Sequence, residues 1–158
     1  VGLTSSGNID FVRDTGLYDK VLTYDELTGL EQQAQTAYVD LAGNGEITAR
    51  THTHLGAALR SSILVGKSHW SAAMAPRDLP GPAPEPFFAP ARIEKRIGDW
   101  GRAEFGQRTE GVWSTALERL REMLDIVRGQ GPEAALETYQ SLLRGGLSAR
   151  QAQVVTLG

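Results

Sequence analysis

Val1-Gly2-Leu3-Thr4-Ser5-Ser6-Gly7-Asn8, continued through Asp10, Phe11 and Val12 to Gly16 and then by Lys20-Val21-Leu22-Thr23-Tyr24, is the stretch that decides the fold class. The tail of a strand runs into a small polar turn, one short helix, a glycine stop and a second apolar β-prone run, the order of a parallel α/β sheet. Downstream, Thr36-Ala37-Tyr38-Val39-Asp40-Leu41 is β-prone and stops at Gly43-Asn44-Gly45, a cluster suited to positive φ or to capping a helix. Glu46 to Leu55 is helix-compatible and closed by Gly56, and Leu59 to Val65 carries a buried-strand signature, Ser62-Ile63-Leu64-Val65, that ends on Gly66. Short connections and nearly continuous apolar strands predict a mainly parallel sheet with helices on both faces.

A different texture follows. Six of the seven prolines fall between Pro76 and Pro90, so this stretch is expected to be a rigid surface connection, with strand conformation conceivable only at Phe87-Phe88-Ala89. Beyond it, Val112, Trp113, Ala116, Leu117, Leu120, Met123, Leu124 and Val127 recur at helical spacing, and charged residues fill the other face. Pro132 stands at an expected first helical position, Leu136, Tyr139 and Leu143 continue an apolar stripe to Gly145-Gly146, and Val154-Val155-Thr156-Leu157 reads as a last short strand. The expected division is therefore an α/β portion over 1–75, a proline-rich connection over 76–90, and a mainly helical completion of the same domain over 91–158.

Composition narrows the function classes. The chain has 158 residues, 41% hydrophobic and 22% charged, enough for one domain with its own core. A net charge of −3 and the lack of any basic block argue against nucleic acid as a partner. Zero cysteines exclude disulfides, thiolate zinc sites and cysteine nucleophiles. No apolar run approaches the roughly 20 residues that a membrane span needs, so neither a membrane nor a metal is expected and the expected location is cytoplasmic.

The serine turn, Thr4-Ser5-Ser6-Gly7-Asn8, stands where the second strand of a dinucleotide fold would end. An acidic residue there would accept hydrogen bonds from a ribose diol, whereas hydroxyls beside a basic group would accommodate a 2′-phosphate. The turn holds no acid, which leans toward NADP(H) over NAD(H) without excluding the latter; the bland alternative is that Asn8 or Ser6 caps the following helix. Gly66-Lys67-Ser68 resembles the end of a phosphate loop, but apolar strand-forming residues precede it, so the better reading is a strand end that opens onto a ligand crevice, with His69 and Trp70 beside it. His52 and His54 would project about 200° apart on a helix, cannot share a metal there, and read as surface or helix-end residues. No Gly-x-Ser-x-Gly elbow supports a hydrolase. Trp100 and Trp113 with Phe87, Phe88 and Phe105 read as satellite core or as an aromatic wall for a ligand.

Together these pieces resemble the carboxyl-terminal, Rossmann portion of the medium-chain dehydrogenase/reductase superfamily, closest to a quinone-oxidoreductase-like branch known mainly as a domain of unknown function. The resemblance rests on Val1 to Ser6 with Asn8, Phe11 and Val12, on Gly16 to Tyr24, Tyr38 to Gly43, Val65 to Trp70, Leu79 to Pro82 and Phe87 to Pro90. It implies a zinc-independent, NADP(H)-binding Rossmann domain in which Ser5 and Ser6 face the adenosine phosphate end. Gly43 and Asn44 would approach the cofactor after one strand and Gly66 and Lys67 after the next, with Phe88 near the nicotinamide. The branch often carries Arg where this chain has Gly7. The catalytic domain, the first strand and the glycine-rich loop of the family are not in the sequence, and the chain opens on Val1, so a fragment of something longer is expected.

In the 3-2-1-4-5-6 strand order the first strand is central, so a gap is expected between the strands near Leu3 and Tyr38, to be closed by an amino-terminal segment or by a second copy in a homodimer. Two functions follow. One is the cofactor-binding portion of an NADP(H)-dependent oxidoreductase that is not competent alone, with substrate and catalytic residues unassigned. The other is a non-catalytic Rossmann-derived interaction or dimerisation module that pairs through a sheet edge.

Overall fold

In the computed structural model, residues 1–32, 35–66, 73, 75–76 and 78–158 are described. Strand β1 (Gly2–Thr4) leads through a 3₁₀ turn, Ser6–Asn8, into helix α1 (Ile9–Asp14) and returns as β2 (Val21–Thr23), parallel to β1 in the register Gly2↔Val21 to Thr4↔Thr23. Gly2 is required by packing: a Cβ there would stand 2.9 Å from the Tyr18 ring. Thr23 and Glu26 then form a capping box around the next 3₁₀ turn, Asp25–Gly29. The Thr23 amide and hydroxyl donate to Glu26 Oε2 (2.9 and 3.0 Å), and the Glu26 amide donates back to Thr23 Oγ1 at 3.3 Å.

The second unit is β3 (Thr36–Asp40), α2 (Gly45–Leu55) and β4 (Leu59–Leu64), again a parallel strand pair, with β5 (Glu85–Pro86) added parallel on β4. Asn44 caps α2, its Oδ1 accepting from the Glu46 and Ile47 amides, and Gly56 at φ 48° ends it. Leu27, Ile47, Leu55 and Leu59 are the buried apolar side chains of this core among the described residues. The first unit is tied to the second through α2: Arg50 donates to the Tyr24 carbonyl (2.8 Å), His54 Nε2 to that of Leu30 (2.7 Å), and Gln32 to that of His54 (2.6 Å).

Helices α3 (Ala89–Trp100) and α4 (Arg102–Met123) are joined at Gly101, and β6 (Asp125–Gln130), α5 (Gly131–Leu143) and β7 (Gln151–Thr156) make a third parallel βαβ unit. The fold is thus Rossmann-like α/β with every strand pair among the described residues parallel, arranged as β2-β1, β3-β4-β5 and β6-β7. Between the β1 and β3 edges lies a cavity of about 570 Å³, lined by Leu3 and Tyr38 among others.

Several local expectations are corrected. The amphipathic helix ends at Met123, short of Val127, because Leu124 is extended (φ −114°, ψ 134°) and β-branched Ile126 and Val127 pair in register with Ala152 and Gln153 of β7. Its apolar stripe is not buried: Val112 and Trp113 are 72% and 59% exposed. The short proline-region strand falls at Glu85–Pro86 rather than Phe87–Ala89, although the Phe87 amide extends the ladder to the Leu64 carbonyl at 2.8 Å. The last strand starts earlier than Val154, at Gln151.

Candidate functional site

The carboxyl end of β3 opens onto this cavity, where parallel α/β sheets hold ligands, while β1 lines it with Gly2 and Leu3, and Ser5 and Ser6 are not among the lining residues. After β3, the Asp40 carboxylate organises the turn. Oδ1 accepts from the Ala42 and Gly43 amides (3.0 and 2.8 Å), and Oδ2 accepts from the Thr48 hydroxyl at 2.8 Å. Gly43 takes φ 68°, which glycine adopts at no steric cost, and this swings Asn44 to the start of α2 and the rim of the cavity. Burial raises the Tyr24 phenol above its ordinary value, and the Asp40 charge adds to this. Burial pushes the Tyr38 phenol up to about 12, with the Asp40 charge adding to the rise and the Thr48 and Thr51 hydroxyls opposing it. Glu26, fully exposed, is lowered by its bonds from the Thr23 amide and hydroxyl.

Ser5 and Ser6 sit in the turn after β1, and neither they nor Asn8 makes a side-chain capping bond, so the capping reading of this turn is corrected. Gly43 and Asn44 stand after β3, and Gly66 lies beside them: a Cβ on Gly66 would meet the Leu41 carbonyl oxygen at 2.8 Å, and its amide donates to the Asp40 carbonyl at 3.4 Å. The close approach that glycine permits here is to a neighbouring loop of the chain itself. Lys67, His69 and Trp70 lie outside the described residues. Phe88 is 65% exposed at the start of α3, away from the cavity lining. Of the rings read as satellite core or aromatic wall, Phe105 is half-buried. Phe87, Phe88 and Trp113 are exposed, and Trp100 is instead flanked by the Arg96 and Arg108 guanidinium groups, 4.9 and 4.5 Å from its centre.

His52 is the residue that sequence reasoning misplaced. It is fully buried rather than superficial: Nδ1 lies 2.9 Å from the Pro80 carbonyl and Nε2 2.9 Å from Ser62 Oγ. A carbonyl can only accept, so Nδ1 carries the proton and Ser62 donates to Nε2. The ring stands edge-on to Tyr38, 6.3 Å between centres. Its position on α2 offered a signal, since 48, 51, 52 and 55 fall on one helical face and all four residues are buried. No group of three His, Cys, Asp or Glu able to hold a metal occurs among the described residues.

A glycine pattern also stands outside the cavity. Gly129-Gln130-Gly131-Pro132-Glu133-Ala134 joins β6 to α5 with the G-x-G-x-x-A spacing of a phosphate turn. The chemistry of the helix start opposes that use, because Pro132 lacks an N–H and Glu133 places negative charge in the first turn. Gly129 serves packing instead, its missing Cβ leaving room for Ala134 and Val155 at 3.0 and 3.5 Å.

Fold and site therefore define a parallel, Rossmann-like α/β protein with an open crevice between two sheet edges. Residues 1–148 match the family model described as a protein of unknown function (DUF2855), and the chain belongs to that family. No curated protein and no solved structure matches it.

Proposed function

We propose that the chain forms the cofactor-binding portion of an NADP(H)-dependent oxidoreductase of the medium-chain dehydrogenase/reductase type, and that it does not carry out the reaction alone. The observation that carries this reading is the serine turn at the carboxyl end of parallel strand β1, whose Gly2 and Leu3 line the open crevice, with the turn's hydroxyls not spent on capping. Ser5 and Ser6 are the donors for the adenosine ribose and its phosphate, and Asn44 borders the path along the β3 end. Gly43, Gly66, Lys67 and Phe88 complete the set assigned by resemblance. These residues suit the hydroxyl-rich and apolar parts of a dinucleotide; no Arg or Lys lines the described cavity, so phosphate charge is met weakly. When bound, the nicotinamide supplies the hydride chemistry, and this chain's residues hold and orient its carrier.

Titration of NADPH fluorescence with the protein tests the proposal. Saturable enhancement, weaker for NADH and reduced at least about threefold in affinity by Ser5→Ala/Ser6→Ala, is expected. No saturable change up to millimolar protein, or none of it sensitive to the serines, would overturn it.

A further inference from the structure

Asn44-Gly45 is the one place in the sequence where asparagine precedes glycine; the other asparagine, Asn8, is followed by β-branched Ile9. With no Cβ on the following residue, the backbone nitrogen of such a pair closes on the side-chain amide with little steric opposition. In that reaction the Gly45 nitrogen loses its proton and bonds to Asn44 Cγ, the Cγ–Nδ2 bond breaks, and ammonia carries the proton away. Water then opens the resulting succinimide at either carbonyl, giving aspartate or isoaspartate. The fold withholds what this chemistry requires. Ring closure needs a negative ψ, whereas at ψ 105° the chirality of an L-residue puts Asn44 Cβ nearer its own carbonyl oxygen than the Gly45 nitrogen. Gly45 is buried and its N–H donates to the Ala73 carbonyl at 3.2 Å, which holds the proton that must leave. Asn44 Oδ1 accepts from the Glu46 and Ile47 amides (3.1 and 3.4 Å), and its backbone carbonyl accepts from the Thr48 amide and hydroxyl (3.0 and 3.1 Å).

We infer that Asn44-Gly45 is a latent modification site, shut while the first turn of α2 is formed and converted by spontaneous deamidation when that turn opens. The two products differ in consequence. Aspartate keeps an oxygen in the capping position, so α2 can re-form over it. Isoaspartate routes the main chain through Cγ, inserts a methylene before Gly45, and turns the carbonyl that Thr48 bonds into a free carboxylate. The first turn of α2 then cannot return to its register. Both products add a negative charge next to the turn that Asp40 organises through the Gly43 amide. Opening of α2 is thereby recorded irreversibly at one residue. The inference stands on the geometry of the cap and does not depend on the cofactor reading.

The test incubates the full chain in mildly alkaline buffer, folded or unfolded in guanidinium chloride, without NADPH. Mass spectrometry of the peptide that contains Asn44 follows the exchange of NH₂ for OH, and labelling by an isoaspartyl methyltransferase identifies isoaspartate. Conversion at Asn44 is expected to be at least about tenfold slower in the folded chain. Thr48→Ala removes the hydroxyl's bonds to the Asn44 carbonyl and to Asp40. It should speed folded-state conversion at least about threefold and leave the unfolded rate unchanged, whereas Thr48→Ser, which keeps both bonds, stays within about twofold of the original chain. A folded rate equal to or above the unfolded one would overturn the inference, since the Glu46 and Ile47 amides would then be polarising Cγ for attack instead of restraining it. Conversion confined to Asn8, or a folded Thr48→Ala protein that converts no faster, would overturn it as well. The comparison of folded with unfolded original chain decides the matter even if Thr48→Ala does not fold.

Discussion

Removing the His52–Ser62 bond tests whether the polar core between α2 and β4 behaves as a pair. Ser62 is 3% exposed and His52 fully buried, so neither can turn to water when its partner is cut away. Ser62→Ala leaves Nε2 of His52 without a donor, which costs about 1–3 kcal/mol for a buried unsatisfied group. His52→Leu strands the Ser62 hydroxyl for a similar amount; the Pro80 carbonyl, on an exposed residue, recovers water and adds little. With both replaced, no buried polar atom of the pair remains, and the double mutant should be less destabilised than the sum of the singles by the two stranding costs together, about 2–6 kcal/mol. Equilibrium urea unfolding of the four proteins, read by circular dichroism and accepted only if the m-value is constant, gives this coupling energy. Additivity within about 0.5 kcal/mol would refute the reasoning, since it would mean that Nε2 and Oγ do not depend on one another.

The other expectations concern the rim of the site. Asn44→Ala frees the Glu46 and Ile47 amides at the start of α2 and should cost about 1 kcal/mol in urea unfolding, while Asn44→Asp should cost little. Gly66→Ala drives a Cβ against the Leu41 carbonyl oxygen and should cost about 1–3 kcal/mol, with Gly29→Ala, in open space, as the unaffected comparison. Tyr38 is raised from 10.0 to about 12 by burial, so its folded form favours the neutral phenol. That contribution to stability is fully present below pH 10 and lost as pH rises through about 12, and Tyr38→Phe should flatten the decline in melting temperature over that window. Phenolate absorbance that places Tyr38 ionisation at or below pH 10 would contradict this.

The fold was legible where local signals agreed with pairing. Gly2 to Thr4, Val21 to Thr23 and Leu59 to Leu64 fall within stretches whose apolar residues and turn boundaries read as strands, and all three form parallel strands. Helix α2 was legible at both ends, because Gly43-Asn44-Gly45 and Gly56 supply the conformations that its caps require. Tertiary pairing overrode periodicity at Ile126 and Val127: their helical spacing matched the preceding stripe, but strand β7, some 25 residues on, takes them into a ladder. The site was less legible. The three-dimensional roles of His52 and Gly66 depend on Pro80, Ser62 and Leu41, residues 10 to 28 positions away, and no spacing rule joins them.

Mapping NADPH onto backbone amides by NMR tests most directly the proposal that the turn after β1 and the crevice at the β3 end hold a dinucleotide. Saturable shifts concentrated at Ser5, Ser6, Gly43 and Asn44 are expected, larger with NADPH than with NADH. Shifts at Gly131 to Ala134 instead would move the site to the β6–α5 turn, and no saturable shift anywhere at millimolar cofactor would contradict the claim outright.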